Sequence, residues 1–470
     1  MNKKHVSFDK KMLVVGFGCI GQAVLTLLLR HINMKPEQVT ILTKTTDGAE
    51  IAKKLGVNFV VNAVTKTNYL ALLDNYLNAG DFLLNLSVDV SSLDLMTYCQ
   101  QHQVIYLDTC IEPWMGGYVD SNLSPSLRSN YAMREPVMAL KKAQSKGPTA
   151  LVTHGANPGL VSHFVKQALL NMAEDTGVHT AKPKIKTEWA ALAHRLGIKA
   201  IHIAERDTQI TDTPKRAGEF VNTWSIDGFV SEGSQPAELG WGTHERQLPK
   251  GGSHHEFGPQ CAIYLNRPGA ATRVRTWTPK AGSFHGFLIT HNESVSIADF
   301  LTLKDDDKVV YRPTVHYAYH PCDGAIVSLH ELAGNEWQQQ KTQRLLFDEI
   351  VDGMDELGVL LMGNPKGAYW YGSQLTIHEA RKLAPYNNAT SLQVASGVLS
   401  GVIWVMQHPQ MGILEPDEIN DYEDLLAIAR PYLGQVSGHY TDWTPLTGRA
   451  NLFPEERDQD PWQFSNVVVG

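Results

Sequence analysis

Cysteine is scarce and poorly placed for cross-linking. The 470 residues include only Cys19, Cys99, Cys110, Cys261 and Cys322, an odd number without a C-x-x-C pair. Neither a disulfide framework nor a zinc site is indicated, and a reducing cytoplasm is the expected compartment. Long apolar runs are missing as well. No stretch of 18 apolar residues occurs, and the basic start (Lys3, Lys4, Lys10, Lys11) leads into a strand broken by glycines rather than a signal core, so a soluble, untargeted protein is expected. Charge of one sign is nowhere massed. The balance of 41 basic and 49 acidic residues gives −8 with no long run of either, which argues against a nucleic-acid or membrane-surface partner and leans toward a cationic one. Internal repeats and low-complexity tracts are absent, and the length calls for two or three domains.

What is present begins at residues 12–29, MLVVGFGCIGQAVLTLLL. A short apolar strand runs into Gly16-Phe17-Gly18-Cys19-Ile20-Gly21 and an apolar helical pattern follows, which is the context a dinucleotide site requires. Gly16 permits the tight turn, Gly18 lets backbone approach a pyrophosphate, and Gly21 lets helix and strand pack closely, while the helix N-terminus faces the phosphates. Further strands are expected at 39–43, 59–61, 82–86, 104–107 and 150–153, separated by helical segments such as 69–77 and 93–101. The fold class is therefore α/β: a Rossmann-type doubly wound parallel sheet, with a second α+β substrate domain carrying a largely antiparallel sheet. The expected division is 1–155 for the dinucleotide-binding Rossmann domain, 156–375 for the α+β substrate domain, and 376–470 for C-terminal helices packing back on the first. Within the last segment, residues 391–406 carry a small-residue stripe (Ala395, Ser396, Gly397, Ser400, Gly401) suited to close helix packing, and the polar, aromatic tail from Pro445 is expected to wrap the surface.

Ligands of such sheets bind beyond the strand C-termini. The second strand ends in Thr43-Lys44-Thr45-Thr46-Asp47, with no acidic residue at its tip. Asp47 can reach ribose hydroxyls, yet Lys44 suits a 2′-phosphate, so this spacing leaves NAD and NADP both open. After strands four, five and six come Ser87-Val88-Asp89, then Asp108-Thr109-Cys110-Ile111-Glu112-Pro113-Trp114, then His154-Gly155-Ala156-Asn157-Pro158-Gly159. Asn157 is placed to cap a helix over 158–172, and equally to contact cofactor or substrate. Asp89 can cap the helix that follows it, and Asp108 can simply end its strand.

From about residue 185, short alternating segments at 198–203, 220–224, 272–277, 284–290 and 309–319 announce the second sheet. Carboxylates there stand beside aromatics: Glu205-Arg206-Asp207, Asn222-Thr223-Trp224, Ser231-Glu232 and His291-Asn292-Glu293. An enzyme that oxidises an amine must hold distal ammonium groups, and anionic and π-faced side chains are the natural lining. Trp224 is the best cation–π candidate, with burial in the core as the ordinary alternative. The loop-rich stretch 233–282 carries His244, His254 and His255, whose spacing does not support a metal site.

The combination VVGFGCIG, DTCIEPW, THGANPGLVSHFVKQAL, AERDTQ, NTWSIDGFVSEG and ITHNES, spread over nearly the whole chain, resembles the bacterial homospermidine synthases, relatives of saccharopine and carboxynorspermidine dehydrogenases. The resemblance implies a homodimer holding NAD. It implies oxidation of putrescine, or spermidine, to an imine with loss of ammonia or diaminopropane, transfer of the aminobutyl group to a second putrescine, and re-reduction to sym-homospermidine. By the same resemblance Trp224 holds the cationic intermediate, Glu205 and Glu232 bind amino groups, and Asn157, His291, Glu112 and Asp89 line the site. Asp355 and Glu356 are further substrate candidates. The cofactor set is Gly16, Gly18, Cys19, Ile20 and Gly21, joined by Thr43, Asp108, Thr109 and Asn157. Two other readings stay open: a reductase of the saccharopine or carboxynorspermidine type, which would turn Arg206, Arg216, Arg273 or Arg275 toward a substrate carboxylate, and a nucleotide-sensing scaffold without turnover.

Overall fold

The computed structural model describes residues 3–449 and 456–469. Its first sheet is wholly parallel and carries Met12–Val15 (β1), Val39–Thr43 (β2), Asn58–Val61 (β3), Phe82–Asn85 (β4), Ile105–Asp108 (β5) and Ala150–Leu151 (β6). The spatial order is β3-β2-β1-β4-β5-β6, the doubly wound arrangement of dinucleotide-binding sheets. The central strands β1, β4 and β5 are buried throughout, as parallel strands covered on both faces must be. In register, Val15 lies opposite Asn85 and Asn85 opposite Asp108, so the loops after these strands open at one edge. Helix Cys19–His31 (α1) follows the glycine turn directly. A seventh strand, Ile413–Leu414, extends the sheet beside β6.

Among the described residues the second sheet has ten strands. Eight run in the order β9-β10-β8-β13-β7-β14-β15-β16, where β7 is Ala200–Asp207, β8 Pro236–Gly240, β9 Gly252–His254, β10 Ala262–Pro268, β13 Thr314–His320, β14 Met354–Met362, β15 Ala368–Thr376 and β16 Gln435–Thr441. The hairpin of β11 (Arg273–Thr278) and β12 (Gly282–Phe287) joins through β13. Only β7 and β13 run parallel; the other pairings are antiparallel. Strand alternation divides β7 cleanly: Ile201, Ile203, Glu205 and Asp207 share one face, while His202, Ala204 and Arg206 share the other. The first face meets the main core and the second packs with Leu360, Met362, Trp370 and Trp443.

The last quarter of the chain serves both sheets. Helix Ala389–Gln407 (α5) packs on α1 and reaches β5, β14 and β15. It is long and apolar enough by composition to cross a membrane, but every residue from Ala389 to Met406 except Val394 is buried inside the protein. Beyond it, Ile413–Leu414 adds to the first sheet and β16 to the second, so strands as well as helices occupy this segment. Of the tail expected on the surface, Phe464 and Val467 are instead buried against Trp241, Val274 and Leu288; residues 450–455 lie outside the described residues.

Candidate active site

The glycine turn has the geometry that its spacing predicts. Gly16 sits at φ +89°, where a Cβ would come within 2.7 Å of the Leu86 carbonyl oxygen, and a Cβ on Gly21 would press at 3.0 Å on the Gly16 oxygen and the Phe17 ring. A Cβ on Gly18 would meet nothing within 4 Å among the described residues, and the first turn of α1 holds no acidic residue and no side-chain cap. Open space beside uncapped N–H groups is what a pyrophosphate needs. The Cys19 side chain at this turn is buried, which pushes its thiol up to about 12. Thr43 ends β2 nearly buried, and beyond it Asp47 is exposed and bonded to Thr45 Oγ1. Asp108 departs from its expected part. Its carboxylate is fully buried, accepting from the Thr153 N–H at 2.6 Å and the Tyr106 hydroxyl at 2.8 Å, and burial raises it to about 7. It braces the strand tips from within, while its neighbour Thr109 is half-buried at the loop.

Asn157 does not cap a helix. Helix Leu160–Asp175 (α3) starts after Gly159, at φ 127°, without a side-chain cap, and the Asn157 amide instead donates to Glu205 Oε2 at 2.9 Å. Ser91, not Asp89, caps the helix Ser92–His102 (α2). Asp89, at φ +64°, gives its backbone N–H to Glu112 Oε2 at 3.1 Å, and Cys110 Sγ donates to Glu112 Oε1 at 3.3 Å. Burial pushes Glu112 up to about 7, with Glu232 and Asp89 adding to the rise.

Glu205 is 3 % exposed. Besides the Asn157 amide its Oε2 accepts the Tyr317 hydroxyl at 2.5 Å, and desolvation with Asp207 alongside pushes it up to about 7 against these bonds and the His291 charge. Asp207 and Asp355 face it from the same side, both raised mainly by burial. Thr390 Oγ1, from the start of α5, donates to Asp355 Oδ2 at 2.6 Å. His291 bridges two carboxylates, Nε2 to Glu232 Oε2 and Nδ1 to Glu293 Oε1, each at 3.0 Å, and this clasp holds the imidazole charged, well above its usual range, despite burial. Trp224 is half-buried, its indole N–H donating to the Tyr319 hydroxyl at 3.0 Å and its ring against Phe229. The two tyrosines close the circuit: Tyr317 and Tyr319 stack with centroids 5.2 Å apart, and Tyr317 lies 4.4 Å from the His291 ring.

Trp224, Glu205, Glu232, Asn157 and His291 are thus joined in one network. Tyr317 and Tyr319, its links, went unnoticed in the sequence, although their i, i+2 spacing on an alternating strand marks one face. Glu356 does not belong to the network. On the opposite face from Asp355, it accepts from Thr278 Oγ1, Gln374 Nε2 and the N–H groups of Lys280 and Ala281, anchoring the β11–β12 hairpin. The arginines are engaged away from the network: Arg206 with main-chain oxygens at 207 and 321 and with Asp323, Arg273 with His330 and Arg275 with the Val468 oxygen, while Arg216 is exposed and gives its backbone N–H to Glu219. The loop histidines also part company, His244 to the Trp462 oxygen and His255 onto the Tyr131 ring.

Residues 12–151 match the Saccharopine dehydrogenase NADP binding domain and residues 155–442 the Saccharopine dehydrogenase C-terminal domain. A homospermidine synthase of Blastochloris viridis is 53% identical over 466 residues, 98% of each chain, and one of Mesorhizobium japonicum 50% identical over 97% of this chain and 96% of its own. The chain belongs to the homospermidine synthase family. The crystal structure of the Legionella pneumophila homospermidine synthase in complex with NAD superposes with a TM-score of 0.92 at 52% identity, over 99% of this chain and 98% of that one. Yeast saccharopine dehydrogenase, at 13% identity and TM-score 0.50 over 92% of this chain and all of its own, shares the homospermidine synthase fold.

Proposed function

We propose that this chain is an NAD-dependent homospermidine synthase, forming sym-homospermidine from two putrescines, or from spermidine and putrescine. The observation that carries the reading is the Asn157–Glu205 hydrogen bond, which ties the loop after β6, at the nucleotide edge, to a buried acidic and aromatic cluster. NAD bound at the glycine turn supplies a two-electron acceptor and later the donor. Gly16, Gly18 and Gly21 shape that turn, and the backbone of Cys19 and Ile20 with Thr43 and Thr109 completes it.

The remaining chemistry belongs to the side chains. Glu205, with its carboxyl near neutrality, takes a proton from the reacting ammonium so that the amine is neutral when oxidised, and returns it later. Trp224 presents its π-face to the cationic imine, and Glu232, Asp355, Glu112 and Asp89 hold the ammonium ends. His291, charged between Glu232 and Glu293, bridges the two carboxylates and holds them apart. Burial of the cluster excludes water that would hydrolyse the imine. Homodimer assembly and a cytoplasmic location belong to the same reading; all five cysteines are free, and size exclusion with light scattering tests the assembly. Purified protein given NAD and putrescine should yield homospermidine and ammonia without stoichiometric NADH. Absence of that product removes the reading.

A further inference from the structure

We propose that Tyr317 and Tyr319 form a positioning pair, Tyr319 fixing the plane of the Trp224 indole and Tyr317 orienting the Glu205 carboxylate. The inference rests on the polyamine reading of the site and adds two residues that act there through Trp224 and Glu205. Strand β13 sets both side chains on one face, two residues apart, and their rings stack at 5.2 Å with an interplanar angle of 12°. Each hydroxyl meets one functional group: Tyr319 Oη accepts the indole N–H at 3.0 Å, and Tyr317 donates to Glu205 at 2.5 Å. Both tyrosines are buried and Tyr319 is also packed on Phe229, which itself touches the Trp224 ring. An indole that is only half-buried has room to turn about χ2; a hydrogen bond from its one donor to a fixed acceptor removes that freedom.

The charged and titratable groups around Glu205 are Asp207 on its own strand, Asp355 on β14, His291 at the start of helix Asn292–Phe300 (α4), and the two tyrosines on β13. Among them Tyr317 and the His291 charge stabilise the ionised carboxylate, and Asp207 opposes it. Losing the Tyr317 hydroxyl therefore moves Glu205 toward the protonated form.

A double-mutant cycle on kcat tests the Tyr319 half, using Tyr319→Phe, Trp224→Phe and the double variant. Tyr319→Phe should lower kcat about tenfold with KM little changed, the scale of one lost hydrogen bond, and should cost nothing further once the indole N–H is gone. Additive losses, or an unaltered kcat, overturn it. An arm independent of turnover uses protein labelled with 15N-tryptophan: of ten indole resonances, the one absent in Trp224→Phe should move upfield in Tyr319→Phe, and a resonance that stays in place refutes the contact. Tyr317→Phe should shift the acid limb of kcat/KM upward by about one pH unit; an unmoved limb overturns the Tyr317 half. Wild-type protein that makes no homospermidine would remove the functional reading instead, and the indole resonance would still decide the Tyr319 contact.

Discussion

Glu205→Gln separates what the site gives to function from what it costs in stability. Tyr317 and Asn157 both donate to Oε2, and a glutamine carbonyl can accept the same two bonds while its NH2 faces Asp355, which lies within hydrogen-bond reach of Glu205. The variant is therefore nearly isosteric and loses the charge together with the ability to take a proton from the reacting ammonium. A positioned general base contributes about 10²–10⁴-fold, so kcat/KM should fall by at least about 100-fold. Stability should move the other way. Burial pushes Glu205 in the folded protein up to about 7 against an ordinary 4.5, so the native state favours the protonated form; the contribution of this group to stability is fullest below pH 4.5 and is lost as pH rises through 7. That rise corresponds to at most about 3 kcal/mol, and the neutral amide should recover part of it above pH 7. Homospermidine formation followed by chromatography and thermal unfolding at pH 5 and pH 8 provide the two readings. A Glu205→Gln protein with wild-type turnover, or with a lower Tm than wild type at pH 8, refutes the reasoning.

Trp224→Ala should retain NAD affinity while losing about 2 kcal/mol of cation–π stabilisation, roughly 30-fold in kcat; steady-state kinetics beside a cofactor titration decides between this and a mere packing role. His291→Ala leaves Glu232 and Glu293 facing each other without the cation that bridges them, so a loss of roughly 3–5 kcal/mol in unfolding free energy is expected from denaturant melts. Gly18→Ala and Gly16→Ala should divide cleanly. With open space at Gly18 and the Leu86 oxygen 2.7 Å from a Cβ on Gly16, the first variant should fold with wild-type Tm and bind NAD at least tenfold more weakly, whereas the second should lose stability outright, as calorimetry would report.

The first sheet was legible because parallel strands covered on both faces read as continuous apolar runs, and residues 13–15, 82–84 and 105–107 do so. The glycine turn was legible for a different reason: Gly16 and Gly21 are positions where no side chain fits, and glycine is written directly in the sequence. Acidic site residues were harder. Asp355 and Glu356 are neighbours with identical local signals, yet strand alternation sends one to the cluster and the other to the hairpin turn, and only the pairing register with β7 decides which. Asp108 looked like a ligand group because it stands at a strand tip; the Thr153 amide that claims it arrives from 45 residues further on. Tyr317 and Tyr319 escaped notice because tyrosine on a buried strand is ordinary, and their partners Glu205 and Trp224 are 112 and 95 residues distant.

The small-residue stripe on α5 explains how the two halves are held to hydrogen-bonding distance. A Cβ on Gly397 would lie 2.1 Å from the Gly155 oxygen, and one on Gly401 would lie 2.7 Å from His154 Nδ1. The helix therefore approaches the loop after β6 closely enough for its Gly397 carbonyl to meet His154 Nδ1 at 3.0 Å. The same loop places Asn157 against Glu205, and the same helix begins with Thr390 against Asp355. One rigid element thus touches the nucleotide edge at its middle and the acidic cluster at its start. Glycine at 397 and 401 is needed less for helix packing in general than for the spacing between cofactor side and substrate side, since any larger residue must push the Asn157 loop away from the carboxylate it orients.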